Sequence, residues 1–165
     1  MSGKYARMGI ISGSVLVLDQ VTKVWVDKTM ALYQSVEVIP PFFNLTYLRN
    51  TGAAFGFLAG EHSFWRVFFF TLISAVAIGC IAYLLRSLRP QQKASLISLS
   101  LILGGAVGNL IDRLRLGEVI DFIDLHWYHY HWPAFNVADS AISMGVVLFC
   151  IQMLRSKGSL SFGDK

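Results

Sequence analysis

Four long, nearly unbroken apolar blocks limit what this chain can fold into: roughly 8–26, 64–85, 94–111 and 137–154. A helix needs about 20 mostly apolar residues to cross a bilayer, and each block approaches that length. Lipid offers no hydrogen-bond partner to a backbone. Blocks this long are therefore expected to be helices, which satisfy their own N–H and C=O groups. The chain is 55% hydrophobic and only 15% charged, with a mean hydropathy of +0.55. That is too little charge to clothe a water-soluble globule.

The formal net charge of +4 fits basic flanks on membrane spans. No basic run is interleaved with aromatics in a polar setting, so no nucleic-acid partner is expected. Cys80 and Cys150 lie in apolar blocks with no Cys or His at ligand spacing, and read as small buried hydrophobes. Lys4 and Arg7 precede the first block as in a signal peptide, but no small-residue cleavage motif closes it. The block runs instead into Asp19, Gln20, Thr22 and Lys23, and reads as a retained first span.

An even number of spans puts both termini on one side. Lys4 and Arg7, then Arg86, Arg89 and Lys93, then Arg155 and Lys157 flank that side. The longer opposite connections carry Lys28, Arg49, Arg113 and Arg115. Basic density thus favours cytoplasmic termini and two long external connections, with Arg113 and Arg115 counting against it. The first connection contains Pro40-Pro41 and an alternating run from Phe43 to Leu48, which suits a short strand. The second holds Trp127, Tyr128, Tyr130 and Trp132, aromatics suited to the headgroup region. The expected architecture is an all-α integral membrane bundle of four transmembrane helices, with a small extracytoplasmic β element as a cap. The expected organisation is one membrane-embedded domain spanning 1–165.

Ionisable residues inside a membrane are costly, and mark function or a tight pair. Here they gather at the outer ends of spans one, three and four. Asp19 and Lys23 stand at i and i+4 with the acid first, the favourable order on one helical face; they read either as an ion pair or as part of a site. Gly104-Gly105-Ala106 and Gly108 offer a face without bulk, where helices can approach closely. Asn109, Asp112 and Arg113 then form one polar face, either a packing network or a substrate contact. Asp121 sits between apolar neighbours, and Asp139 stands at the start of the last span. The helix dipole favours an acid there, yet Asn136 is better placed as the cap, with Asp139 at N3. Two neighbouring carboxylates cannot both ionise easily and share a proton. One then takes a proton from water while the other gives one to a carbonyl or leaving amine. His126, His129 and His131 are a rival zinc site, but their spacing is not that of a helical HExxH, and no Glu is placed as the base. A proton-relaying transporter is a second alternative.

Five motifs occur in order. They are Asp19-Gln20-Val21-Thr22-Lys23, Asn50-Thr51-Gly52-Ala53-Ala54-Phe55, the run GGAVGNLIDR from Gly104 to Arg113, Val119-Ile120-Asp121-Phe122, and Phe135-Asn136-Val137-Ala138-Asp139-Ser140. Through them the chain resembles the lipoprotein signal peptidases (signal peptidase II) of bacterial inner membranes, from about Gly9 to Leu154. The resemblance implies an aspartyl endopeptidase with its site on the periplasmic side and Asp121 and Asp139 as catalytic dyad. It implies supporting or substrate-contacting roles for Asn50, Gly52, Asn109, Arg113 and Asn136, and structural roles for Asp19, Lys23 and Asp112. The implied substrate is a diacylglyceryl-modified prolipoprotein, cut just before its lipid-bearing cysteine. No metal or other cofactor is implied. Membrane lipids and globomycin-type inhibitors are the other implied partners, and a monomer is expected. Nothing transfers to the His-rich stretch or to the tail from Ser156. The alternating Phe43–Leu48 run is expected to clamp the peptide by backbone pairing, as an added strand does.

Overall fold

Leucine, isoleucine, valine and phenylalanine dominate the four apolar blocks, and each block lies within one helix of the computed structural model. The structure describes residues 2–52, 64–89 and 91–155. The motif residues Ala53, Ala54 and Phe55 and the tail from Ser156 lie outside the described residues. The helices are α1 (Ser2–Thr29), α2 (Phe64–Ser87), α3 (Lys93–Leu116) and α4 (Val137–Arg155), and all four are long and apolar enough to cross a membrane. At 1.5 Å per residue α1 is about 42 Å long, more than the roughly 30 Å hydrocarbon layer. Its ends therefore reach the polar boundary, which is where Lys4, Arg7, Asp27 and Lys28 stand. α3 outruns its apolar block because Asp112, Arg113 and Arg115 continue the helix. It stops at Gly117, whose left-handed φ of 73° lets its N–H donate to the Arg113 carbonyl, a conformation that glycine adopts without a Cβ penalty.

α3 is the central helix, packed by α1, α2 and α4. Its glycines make this possible. A Cβ on Gly104 would stand 2.6 Å from the Ser12 carbonyl oxygen of α1, and one on Gly105 would collide with the Ala138 carbonyl and Ile142 of α4. Gly145 of α4 returns the contact, within 2.7 Å of the Ser98 carbonyl by the same construction. Further along, Gln152 ties α4 to α3 by accepting from Ser95 Oγ at 2.9 Å and donating to Ser98 Oγ at 2.8 Å. α2 is the most lipid-facing helix, exposing Phe68, Phe69, Leu72, Ile73 and Val76. In water such a face would aggregate; in a bilayer it is solvated. Cys80 and Cys150 are exposed as well. They are not the buried hydrophobes expected, because their helix faces meet lipid and not protein.

Four strands form an antiparallel sheet in the order β1 (Ser35–Ile39), β2 (Phe43–Asn50), β3 (Val119–Trp127), β4 (Tyr130–His131). Register pairs Asn44 with Asp124, Leu48 with Asp121 and Asn50 with Val119, with an irregularity between Leu45 and Leu48. Val26 of α1, Tyr47 of β2, and Ile120 and Phe122 of β3 form the buried core that seats the sheet on the bundle. Tyr47 Oη donates to the Asp27 carboxylate, and Arg49 adds 2.9 Å and 3.1 Å bonds to Tyr47 Oη and Asp27. Between Phe43 and Leu45, β2 is paired with β1 on one edge and β3 on the other. Those three residues therefore have no free edge on which a peptide could add as a strand, whereas Leu48, the end of the alternating run, pairs with Asp121 of β3 beyond the pairing with β1.

Replacing Gly105 by Val should lower stability by about 1–3 kcal/mol through overpacking. Gly79→Ala, where the added methyl meets nothing within 4 Å, should not. Thermal unfolding of both variants in detergent micelles checks this.

Candidate active site

The site begins with a buried cation. Lys23 is 1% exposed, and its ammonium group donates to Asp19 Oδ2 at 2.9 Å, Asp112 Oδ2 at 2.8 Å and Asn109 Oδ1 at 2.8 Å. These use all three of its donors. Two carboxylates against one ammonium leave excess negative charge, and neutral donors surround it. Gln20 Nε2 lies 3.2 Å from Asp19 Oδ2 and 3.0 Å from Asp112 Oδ1. The Ala138 N–H donates to Asp19 Oδ1 at 2.8 Å, and the Ile120 N–H to Asp112 Oδ2 at 3.3 Å. Asp19 thus satisfies an orphan donor in the first turn of α4 from a different helix, and Asp112 holds the start of β3. Gly108 permits this, since the Asp19 carboxylate lies where its side chain would be.

Asn136 caps α4: its Oδ1 accepts the Asp139 N–H at 2.9 Å, which sets Asp139 at N3. The same carboxamide donates through Nδ2 to Asp121 Oδ1 at 2.8 Å. One fully buried asparagine therefore touches both aspartates. Asn109 Nδ2 donates to Asp139 Oδ1 at 2.8 Å, while its Oδ1 faces Lys23. From the sheet, Asn50 Nδ2 donates to Asp121 Oδ2 at 3.0 Å, and Asn50 Oδ1 accepts the Gly52 N–H at 2.9 Å. That local bond aims the Asn50 amide at Asp121.

Asp121 is 3% exposed. Burial raises its pKa first and the nearby Asp139 second, against the hydrogen bonds from Asn50 and Asn136, so that it is pushed up to about 7. Asp139 is half-buried and lines a cavity of about 470 Å³ between α2, α3 and α4, with Asn109 and Arg113 beside it. Below these polar groups the walls are apolar: Phe70, Ile73, Ala77, Ile81 and Ile142. Arg113 Nη2 reaches the Gly52 carbonyl at 3.3 Å and Nη1 reaches Ser74 Oγ at 3.4 Å. Its charge lies within electrostatic reach of Asp139, Asp121 and Asp112.

The polar residues singled out in the sequence thus form one connected network, running from Asp19 through Lys23, Asp112, Asn109, Asn136 and the two aspartates to Asn50, Gly52 and Arg113. A profile of the family described as signal peptidase (SPase) II matches residues 11–155. The chain belongs to the signal peptidase II family. It is 58% identical over 148 residues to a protein named lipoprotein signal peptidase in Geobacter sulfurreducens, covering 90% of this chain and 91% of that one. A lipoprotein signal peptidase of Pseudomonas putida is 43% identical over 161 residues, covering 96% and 94%. A bacterial membrane enzyme solved by the in meso method at 2.3 Å resolution superposes with a TM-score of 0.83 at 36% identity, covering 97% of this chain and 94% of that one. The protein is accordingly a peptidase and a multi-pass bacterial membrane protein.

The histidines lie apart from this network. His126 and His131 stack with ring centroids 4.8 Å apart; His131 Nδ1 meets Asp124 at 2.9 Å, and His126 Nε2 meets Asn44 Oδ1 at 3.1 Å. Among the described residues no three His, Cys, Asp or Glu side chains are gathered to hold a metal. The sequence motifs left Gln20 without a role and passed over the Asp27–Tyr47–Arg49 cluster. The i, i+2 spacing of Tyr47 and Arg49 on one strand face was the only local signal for that cluster.

Removing the Asn50 amide takes away a bond that favours the Asp121 carboxylate. In Asn50→Ala the midpoint of Asp121 should therefore rise above about 7, as read by carboxyl-resolved infrared or 13C titration. Lys23→Met strands two buried aspartates and should cost about 3–5 kcal/mol, measured by denaturant unfolding in micelles. A variant of unchanged stability would contradict the role given to the buried charges.

Proposed function

We propose that Asp121 and Asp139 are the catalytic dyad of an aspartic-type signal peptidase. The enzyme removes the signal peptide of prolipoproteins. The proposed bond is the one just before a diacylglyceryl-modified cysteine. The observation that carries the reading is the single Asn136 carboxamide, which donates to the Asp121 carboxylate and accepts the backbone N–H of Asp139, with the Asp139 charge near enough to help burial raise Asp121 to about 7. The pair titrates as a unit. Asp121, the more deeply buried of the two, holds the shared proton and gives it to the scissile carbonyl oxygen. Asp139, which lines the cavity, takes a proton from the attacking water. As the tetrahedral intermediate collapses, the amine leaves with a proton returned by the pair.

Asn50, Asn109 and Asn136 orient the carboxyls, while Arg113 and the Gly52 carbonyl border the substrate's path. Asp19, Lys23 and Asp112 act as scaffold. The apolar cavity below Asp139 suits the hydrophobic part of a signal peptide, and a globomycin-type inhibitor would compete for it. The lipid anchor keeps the scissile bond at membrane depth, where the polar network sits. Basic residues at the far end of the bundle support cytoplasmic termini and a periplasmic site in the inner membrane. A monomer made of one domain over 1–165 suffices for every role assigned, and the mechanism needs no metal. Family membership does not favour the proton-relaying transporter.

Asp121→Asn and Asp139→Asn should each lower turnover of a lipid-modified precursor by at least about 10²–10⁴-fold, while the protein still inserts and melts normally. Near-normal turnover in either variant would sink the dyad. Because the reaction needs one retained proton, the wild-type rate should fall as pH rises through about 7. A chelator should leave it unchanged; inactivation by chelation would instead favour a metal hydrolase.

A further inference from the structure

The end of the bundle remote from the carboxylates is basic throughout. Lys4, Arg7, Arg86, Arg89, Lys93 and Arg155 stand there, and among the described residues no Asp or Glu does. Lys4 has a structural task, since its Nζ donates to the Arg86 and Leu88 carbonyls at 3.0 Å and 2.6 Å and closes the end of α2. Arg7 and Lys93 have none: both are exposed, and among the described residues their side chains form no ion pair or hydrogen bond. Between them α1 and α3 leave a cleft of about 280 Å³, lined by Arg7, Ile10, Ile11, Lys93, Leu96 and Ile97.

The chemistry of this cleft is divided. Its rim carries two unpaired cations and its walls are aliphatic. Ile10 and Ile97, at 69% and 44% exposure, open it toward the bilayer. The first turn of α3 faces the rim, and its cap residue Gln92 makes no side-chain cap bond, so the positive end of the helix dipole adds to the two charges. A free anion would leave the aliphatic walls uncovered, and a neutral apolar molecule would leave the cations unpaired. An amphiphile with an anionic head satisfies both. Basic recesses between transmembrane helices at the cytoplasmic boundary are suited to such lipids.

We propose that the Arg7–Lys93 cleft between α1 and α3 is a binding site for an anionic phospholipid. The phosphate lies between the two cations and an acyl chain runs along Ile10, Ile11 and Ile97. The site is independent of the peptidase reaction and lies at the opposite end of the helices.

The test is native mass spectrometry of the purified full chain, titrated in parallel with dioleoylphosphatidylglycerol, dioleoylphosphatidylcholine and inorganic phosphate. Phosphatidylglycerol should bind at least about tenfold more tightly than phosphatidylcholine. Arg7→Gln and Lys93→Gln should each weaken it about fivefold, while Arg155→Gln, at the same end but outside the cleft, should not. Ile97→Trp keeps both charges and fills the cleft, so it should also release the lipid. It decides the matter if a charge variant folds poorly. Equal affinity for the two lipids overturns the proposal. So does an Arg155→Gln loss as large as that of Arg7→Gln, which would mean a diffuse basic surface. Displacement by inorganic phosphate at matching concentration would mean an adventitious anion site, and an Ile97→Trp variant with unchanged binding would exclude the acyl contact.

Discussion

A lysine ammonium buried in a membrane protein has to find three acceptors or lose its charge, and most of this structure is arranged around the way Lys23 finds them. Its partners come from α1 itself and from α3. Those partners in turn hold the first turn of α4 and the start of β3 through backbone N–H groups. Four elements are thereby fixed relative to one charge. The desolvation cost is large. It is offset because every donor and acceptor is used, and among the described residues no buried side-chain polar atom lacks a partner.

The two aspartates depend on that frame in different ways. Asp139 belongs to a transmembrane helix and Asp121 to the sheet, so the pair exists only when the cap is docked on the bundle. Asn136 is the joint. It caps α4 and bonds Asp121 with one carboxamide, which makes helix capping and carboxyl alignment the same event. Burial then separates the roles. Asp121 is buried within β3 and favours its proton, while Asp139 meets the cavity. The apolar walls of that cavity lie between helices long and apolar enough to cross a membrane, so under the proposed dyad a substrate's hydrophobic segment would meet the carboxyls from within the bilayer.

The molecule is strongly polarised along its helices. Acids and bases are mixed and mutually satisfied at the site end, whereas among the described residues cations alone occupy the other. The same asymmetry that biases insertion leaves Arg7 and Lys93, among the described residues, without a protein partner beside an aliphatic cleft, a combination that a lipid can complete and water cannot.

The sequence by itself determined the four helices, because length and apolarity in a block of about 20 residues leave lipid-embedded backbone no other form. It also marked the charged residues that the membrane would tolerate only in partnership, and the glycines where helices meet. It could not show that Asp19 serves α4 and not only Lys23, that Asn136 binds both aspartates, or that Phe43–Leu45 is sealed on both edges by neighbouring strands. Those relations join residues up to 119 positions apart, and periodicity carries no information across such distances. Cys80 and Cys150 show the same limit from the other side. Both lie in apolar sequence, but whether an apolar residue faces protein or lipid is decided only when the helices pack, since the two environments attract it almost equally.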